Sequence, residues 1–200
     1  LDVGFGNGSL ILTADEYGYE PIGVDLRKDG VAALKAEGIQ AHCDLVQNIE
    51  FEKSISVVSM MDVLEHIPYP KEVLMSVHSI MDENGIIMIS MPNSESWLWK
   101  FWSRENKNPY FNTIEHYHNF SKTRLVSLLN ECGFTFKKYR VSERYRSGME
   151  IIAQRNHLVF EFTEIMVRIF TSCSIWLKLW PNKLYEVRYC QTYCWKKHMT

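Results

Sequence analysis

The chain has 200 residues, which is enough for one domain with a buried core. Its composition, with 46% hydrophobic residues, 23% charged residues and a formal net charge of -2, is typical of a globular protein and indicates no nucleic-acid partner. Five scattered cysteines argue against a disulfide framework and favour a reducing, cytoplasmic setting, and no apolar run of about 18 residues predicts a transmembrane span.

Strand and helix signals alternate along the first half of the chain. Short apolar runs predict strands at 1–3, 21–24, 39–43, 55–60 and 86–90. Amphipathic spacing predicts helices at about 9–17, 28–37 and 70–81, and Asn84 with Gly85 predicts a turn before the fifth strand. Alternation of this kind predicts an α/β fold with a Rossmann-like, doubly wound, mostly parallel sheet and helices on both faces.

The second half departs from this alternation. Residues 94–120 form an aromatic-rich insert after the fifth strand. Ser121 is expected to cap a helix that ends at Gly133, followed by a strand at 134–141, a helix at about 149–180 and a last strand at 183–190. We therefore expect a core at 1–141 and a C-terminal extension at 142–200 within the same domain. Because the chain starts inside the first strand and without Met, we also expect the N-terminus to be truncated.

The opening stretch LDVGFGNGSL places Gly4, Gly6 and Gly8 between a strand and a helix. Glycines allow a ligand to approach the backbone closely, and a helix N-terminus directs N–H groups at its polar atoms. Asp25, which ends the second strand, is suited to accept both ribose hydroxyls of an adenosine. The dinucleotide fingerprint G-x-G-x-x-G needs a third glycine where Ser9 stands, which weakens an NAD-dependent oxidoreductase as an alternative without removing it.

Several further stretches, in chain order, resemble the class I S-adenosylmethionine-dependent methyltransferases. They are DVGFGNG with Asp25, AHCDL around Asp44, MMDVLEHIPYP, MDENGIIMISMPN and EHYHNFSKTRLVSLLNECGF, which together extend to about residue 134. The resemblance is best to the small-molecule branch, including the O-methyltransferases of ubiquinone synthesis. It implies S-adenosylmethionine as cofactor and methyl transfer to a small-molecule acceptor, with a hydroxyl oxygen as the expected site. A non-catalytic module that binds the cofactor is a second alternative.

The resemblance also implies a set of cofactor-binding residues. The glycines would pass under the methionine part of the cofactor, Asp25 would hold the ribose and Asp44 would accept from the adenine amino group. The full set is Asp2, Gly4, Gly6, Gly8, Asp25, Asp44, Leu45 and Met61.

Two histidines are candidates for the base that removes the acceptor proton, His66 after the fourth strand and His118 before the later helix. A structural hydrogen bond is the alternative role for His66. Asp62, Glu65 and His66 resemble a divalent-metal site of the ubiquinone-type enzymes, but relatives with the same Glu-His pair need no metal. We therefore predict no metal ion.

The acceptor is expected to be aromatic or lipophilic, because the insert carries many aromatic side chains. Those side chains are equally suited to packing a small subdomain. Residues 157–180 are amphipathic, which permits either peripheral membrane contact or packing against the core.

Overall fold

The computed structural model describes residues 1–111, 116–142 and 148–155. Within them a seven-stranded sheet has the order β3-β2-β1-β4-β5-β7-β6. Its strands are β1 (Asp2–Val3), β2 (Ile22–Val24), β3 (Gln40–His42), β4 (Ile55–Met61), β5 (Met81–Pro92), β6 (Phe134–Ser142) and β7 (Gly148–Arg155). The first five strands run parallel, and β7 is antiparallel to both β5 and β6. The predicted doubly wound, mostly parallel sheet is therefore confirmed.

Helices lie in the connections after β1, β2, β4 and β5. They are α1 (Ser9–Glu16), α2 (Lys28–Ala36), α3 (Pro70–Ile80), α4 (Trp97–Arg104) and α5 (Lys122–Glu131). Single turns of 3-10 helix at Val46–Asn48 and Leu64–His66 follow β3 and β4. The predicted cap of α5 is confirmed, since the Ser121 hydroxyl accepts a hydrogen bond from the Arg124 backbone N at 3.1 Å. The predicted insert contains α4. None of the described helices is long and apolar enough to cross a membrane.

The main core lies between the central strands and the helices that carry apolar faces. Leu74 and Val77 of α3 and Leu125 and Leu129 of α5 are completely buried against it. Central strands buried on both faces need continuous apolar runs, which explains why β4 and β5 lack the alternation of a half-exposed strand.

A second, smaller core places the glycine loop on the sheet. Phe5, Ile11 and Leu34 belong to it, and all three crowd Gly23 in the middle of β2. A Cβ atom at Gly23 would lie 2.8 Å from Ile11, 2.9 Å from Phe5 and 3.0 Å from Leu34. The missing side chain at this position therefore allows α1 and the loop before it to lie close against β2.

The structure corrects two predicted elements. Residues 149–155 are strand, so the helix predicted from about Met149 is wrong there: Met149, Ile151 and Ala153 are buried at alternate positions, which is the period of a strand. Asn84 and Gly85 do not form a separate turn but lie within β5, where the register with β4 shifts from Ile55–Met81 to Val57–Ile86. The remainder of the predicted helix, the strand at 183–190 and the amphipathic segment 157–180 lie outside the described residues.

Replacing Leu74 by Ala should lower the free energy of unfolding by about 2–5 kcal/mol, because the side chain is completely buried and its loss leaves a cavity. Urea unfolding monitored by circular dichroism measures this change. Met75 is the matched control, because it is the next residue of α3 and is 54% exposed. The Met75→Ala variant should stay within about 0.5 kcal/mol of the wild type. Equal losses in both variants would contradict the assigned inner face of α3.

Candidate functional site

The predicted cofactor-binding residues gather at one edge of the sheet. The loops that contain Gly4, Asp25 and Asp44 follow β1, β2 and β3, Met61 is the last residue of β4, and these four strands are parallel. The chain continues from β1 to β2 on one side and reaches β4 on the other, so the strand order reverses beside β1. Ligands of open α/β sheets bind outside the carboxyl ends of the strands at such a reversal.

The glycine loop uses backbone angles that favour glycine. Gly4, Gly6 and Gly8 have φ of +71°, +61° and +78°. A Cβ atom at Gly4 would lie 2.6 Å from Cγ2 of Val63, whereas one at Gly6 would meet nothing within 4 Å. Gly4 is thus required by packing against the loop after β4. Gly6 instead presents its backbone to open space, where a ligand can approach.

Asp25 connects the glycine loop to the beginning of α2. Its Oδ2 accepts from the Gly6 backbone N at 3.1 Å, and its Oδ1 accepts from the Arg27 backbone N at 2.9 Å. Arg27 also donates from its side chain, with Nε 3.1 Å from Oδ1 and Nη2 3.0 Å from Oδ2. Burial alone would raise the pKa of Asp25, but the hydrogen bonds from Arg27 and Gly6 hold it below its ordinary value. The carboxylate is therefore ionised at neutral pH.

Asp44 and Leu45 form an exposed corner after β3. Asp44 Oδ1 accepts from Asn48 Nδ2 and from the Leu45 backbone N, both at 2.7 Å, and these bonds lower the pKa of Asp44. Leu45 is 49% exposed beside it. The corner thus offers an oriented carboxylate and an apolar side chain, which are the two features expected at an adenine site.

Asp2 and Met61 flank the carboxyl ends of β1 and β4. Asp2 is buried and accepts a hydrogen bond from Ser59 Oγ at 2.7 Å. Burial raises the pKa of Asp2 to about 6, although the hydrogen bond from Ser59 favours the ionised form. Met61 is partly exposed, and the next residue, Asp62, has a φ of +55°. The Asp62 backbone N donates to the Ser90 carbonyl of β5, which holds this residue beside the end of the β4–β5 pairing.

The two predicted histidines lie in the same region but have different neighbours. The ring of His66 lies edge-on to that of His116, with a centroid separation of 4.5 Å. His118 has a ring nitrogen 3.1 Å from the Pro68 carbonyl oxygen, and its backbone N donates to the Glu65 carbonyl. The structure therefore places His116, rather than His118, against His66.

Glu65 is the most unusual carboxyl group of this region. It is 2% exposed, and its Oε2 has no hydrogen-bond partner among the described residues. Burial, with a smaller contribution from the charge of Asp62, raises the pKa of Glu65 to about 8. One ligand atom from each of Glu65, His66 and His116 lies within 4.8 Å of the others, so these three residues could hold a metal ion. The expectation of no metal remains a prediction.

Sequence reasoning missed three of these features. His116 and His118 are two positions apart before α5, and nothing in the sequence identifies which one meets His66. The side-chain contacts of Arg27 and the burial of Glu65 depend on tertiary packing. The Glu-His pair in VLEH was the available signal for Glu65, but it carries no information about burial.

Comparisons with known proteins agree with this geometry. A family model described as a methyltransferase domain matches residues 1–138. Ubiquinone biosynthesis O-methyltransferases are 27% identical in Proteus mirabilis, over 50% of this chain and 44% of that protein, and 25% identical in Acinetobacter baumannii, over 69% and 64%. The chain thus spans about half to two thirds of the length of these relatives.

A solved structure adds a likeness in fold. The 1,6-didemethyltoxoflavin-N1-methyltransferase of Burkholderia thailandensis, solved with bound 1,6-didemethyltoxoflavin and S-adenosylhomocysteine, superposes with a TM-score of 0.62 at 17% identity. The match covers 78% of this chain and 70% of that one. At this identity the likeness shows a shared fold.

The buried carboxyl of Glu65 predicts a stability that falls as pH rises. Its pKa is raised from 4.5 in the unfolded chain to about 8 in the folded protein, so between these values the folded state holds a proton that the unfolded state releases. The contribution is complete below about pH 4.5 and is lost as pH rises through 8, with a slope of at most about 1.4 kcal/mol per pH unit. Urea unfolding at several pH values, with a chelator present, measures it.

The Glu65→Gln variant should lose this component of the pH dependence, because its amide does not titrate in this range. Glu72→Gln is the matched control, since Glu72 is exposed on α3. Parallel pH profiles for the wild type and the Glu65→Gln variant would contradict the raised pKa.

Proposed function

The chain belongs to the class I S-adenosylmethionine-dependent methyltransferases, and we propose that it transfers a methyl group to a hydroxyl oxygen of a small molecule. One observation carries the proposal: the open backbone of Gly6 lies next to the ionised carboxylate of Asp25 at the point where the strand order reverses. The family assignment also argues against the NAD-dependent alternative, because the family model that matches residues 1–138 is that of a methyltransferase domain.

The residues at the sheet edge fit the cofactor of this family. A side chain at Gly6 would stand where the ligand is expected, and glycine leaves that space open. Gly4, Gly6 and Gly8 would lie along the methionine part, with Asp2 beneath them. Asp25 would bind the ribose, Asp44 and Leu45 the adenine, and Met61 would contact the cofactor near its sulfur. The cofactor supplies a methyl group on a positively charged sulfur, which is already a good leaving group.

The chain's own contribution to transfer is to align the acceptor and take its proton. We assign proton removal to His66, which lies after β4 and beside His116. His118 is the second candidate, but the contact of its ring with the Pro68 carbonyl favours a role in holding the segment before α5 against the loop after β4.

An aromatic or lipophilic acceptor is supported by the rings that lead to His66. Trp99 of α4 stacks on Tyr110 with a centroid separation of 4.8 Å, and Tyr110 lies 5.6 Å from His116. Ring contacts therefore lead from the insert through His116 to the candidate base, and aromatic surroundings of this kind suit a flat or apolar acceptor. The oxygen acceptor follows the Proteus and Acinetobacter relatives, whereas the name of the Burkholderia enzyme indicates transfer to nitrogen. Assays with matched phenol and aniline acceptors distinguish the two.

Replacing Asp25 by Ala should weaken S-adenosylhomocysteine binding about tenfold or more, because hydrogen bonds to a charged acceptor are lost. Isothermal titration calorimetry measures the affinity. Glu37→Ala is the control, since Glu37 is an exposed acid at the opposite end of α2, and the affinity of this variant should equal that of the wild type. Wild-type affinity in the Asp25→Ala variant would be inconsistent with a ribose site at Asp25. Tighter binding of NAD than of S-adenosylhomocysteine would instead favour the oxidoreductase.

Replacing His66 by Ala should lower kcat about 100-fold or more while leaving the affinity for S-adenosylhomocysteine unchanged, because the loss affects proton transfer alone. Methyl transfer from labelled S-adenosylmethionine to a phenol acceptor measures it. The His118→Ala variant provides the comparison and should lose less activity. Unchanged turnover in both variants would show that neither histidine is the base.

A further inference from the structure

The carboxylate of Asp25 already accepts four hydrogen bonds. Two come from backbone N–H groups, those of Gly6 and Arg27, and two come from the Arg27 side chain. Each oxygen receives one bond of each kind: Oδ1 from Arg27 N and Nε, and Oδ2 from Gly6 N and Arg27 Nη2. A carboxylate has about four lone-pair positions, so the acceptor capacity of Asp25 is full.

A ribose presents two neighbouring hydroxyl groups, and a carboxylate that binds both must offer a free acceptor position to each. In this structure the Arg27 side chain occupies one position on each oxygen. Resting on the proposed function, which places the ribose at Asp25, we propose that the Arg27 side chain is a displaceable gate: it takes the two acceptor positions that the ribose hydroxyls need, so cofactor binding requires it to leave.

The surroundings of Asp25 allow this exchange. When the Arg27 side chain leaves, the backbone bonds from Gly6 and Arg27 remain, so the carboxylate keeps its orientation. The Asp25 side chain is 9% exposed, whereas that of Arg27 is 46% exposed and can rotate into solvent. Nη2 of Arg27 also donates to the Gly6 carbonyl, so departure of the side chain frees that carbonyl oxygen as well.

The position of Arg27 limits how strongly its side chain is held on Asp25. Arg27 is the N-cap of α2, where the helix dipole disfavours a positive charge. Asp29 in the first turn of the same helix attracts the guanidinium and offers it a second acidic neighbour. Since ion pairs that are partly exposed contribute little, a ligand with two hydroxyls can compete with this contact.

The test compares ligand affinity in the wild type and the Arg27→Ala variant by isothermal titration calorimetry. The probes are S-adenosylhomocysteine and its analogue without the 2′- and 3′-hydroxyls. S-adenosylhomocysteine should bind the Arg27→Ala variant about two- to tenfold more tightly than the wild type, because the competing contact is gone. The dideoxy analogue should bind both proteins equally, since it does not need the positions that Arg27 occupies. Lys28→Ala is the matched control, because it removes an exposed cation from the adjacent position.

The outcomes separate the gate from the proposed function. Weaker or unchanged binding of S-adenosylhomocysteine in the Arg27→Ala variant would overturn the gate, as would an equal gain in affinity for the dideoxy analogue or in the Lys28→Ala variant. In all these cases the proposed cofactor site would still stand, as long as the wild type binds S-adenosylhomocysteine. If neither the wild type nor the Arg27→Ala variant binds S-adenosylhomocysteine at millimolar concentration, the proposed function itself fails.

Discussion

The hydrogen bond from the Gly6 backbone to Asp25 connects the two loops on which the rest of the site depends. The glycine loop follows β1 and Asp25 follows β2, so this contact fixes the start of α1 relative to the start of α2. Gly23 of β2 allows the glycine loop and α1 to lie close to the sheet, because Phe5 and Ile11 occupy the space that a side chain at this position would need. Two glycines therefore serve different purposes. Gly23 leaves room for the core side chains beneath the loop, and Gly6 leaves the ligand side of the loop open.

Much of the cofactor half was predictable because its requirements are local. Glycines with positive φ and an acid at a strand end are visible in the sequence, and the apolar runs of β4 and β5 identify buried parallel strands. The C-terminal half of the sheet was harder. Strand β7 alternates Met149, Ile151 and Ala153, but its eight residues precede a long apolar stretch that suggested one continuous helix. Its place between β5 and β6 is a long-range pairing that local pattern does not encode.

The histidines proposed for catalysis were predictable in residue type but not in arrangement. His118 was selected from the same short segment as His116, yet its main-chain N–H and its ring both bind the loop after β4. His116, two residues earlier, contacts both His66 and Tyr110 of the aromatic insert. His118 thus holds the segment, whereas His116 meets His66. Only the tertiary contacts distinguish these two roles.

The acids of this edge differ in protonation because their surroundings differ. Donors surround Asp25 and keep it ionised, whereas burial raises the pKa of Asp2 to about 6 and that of Glu65 to about 8. The free site therefore carries fewer negative charges than its carboxyl groups suggest. An opposite charge within about 4–6 Å favours the ionised form of a carboxyl group. Under the proposed function, a cationic cofactor near Asp2 lowers the pKa of that group, so its binding is coupled to the release of a proton below about pH 6.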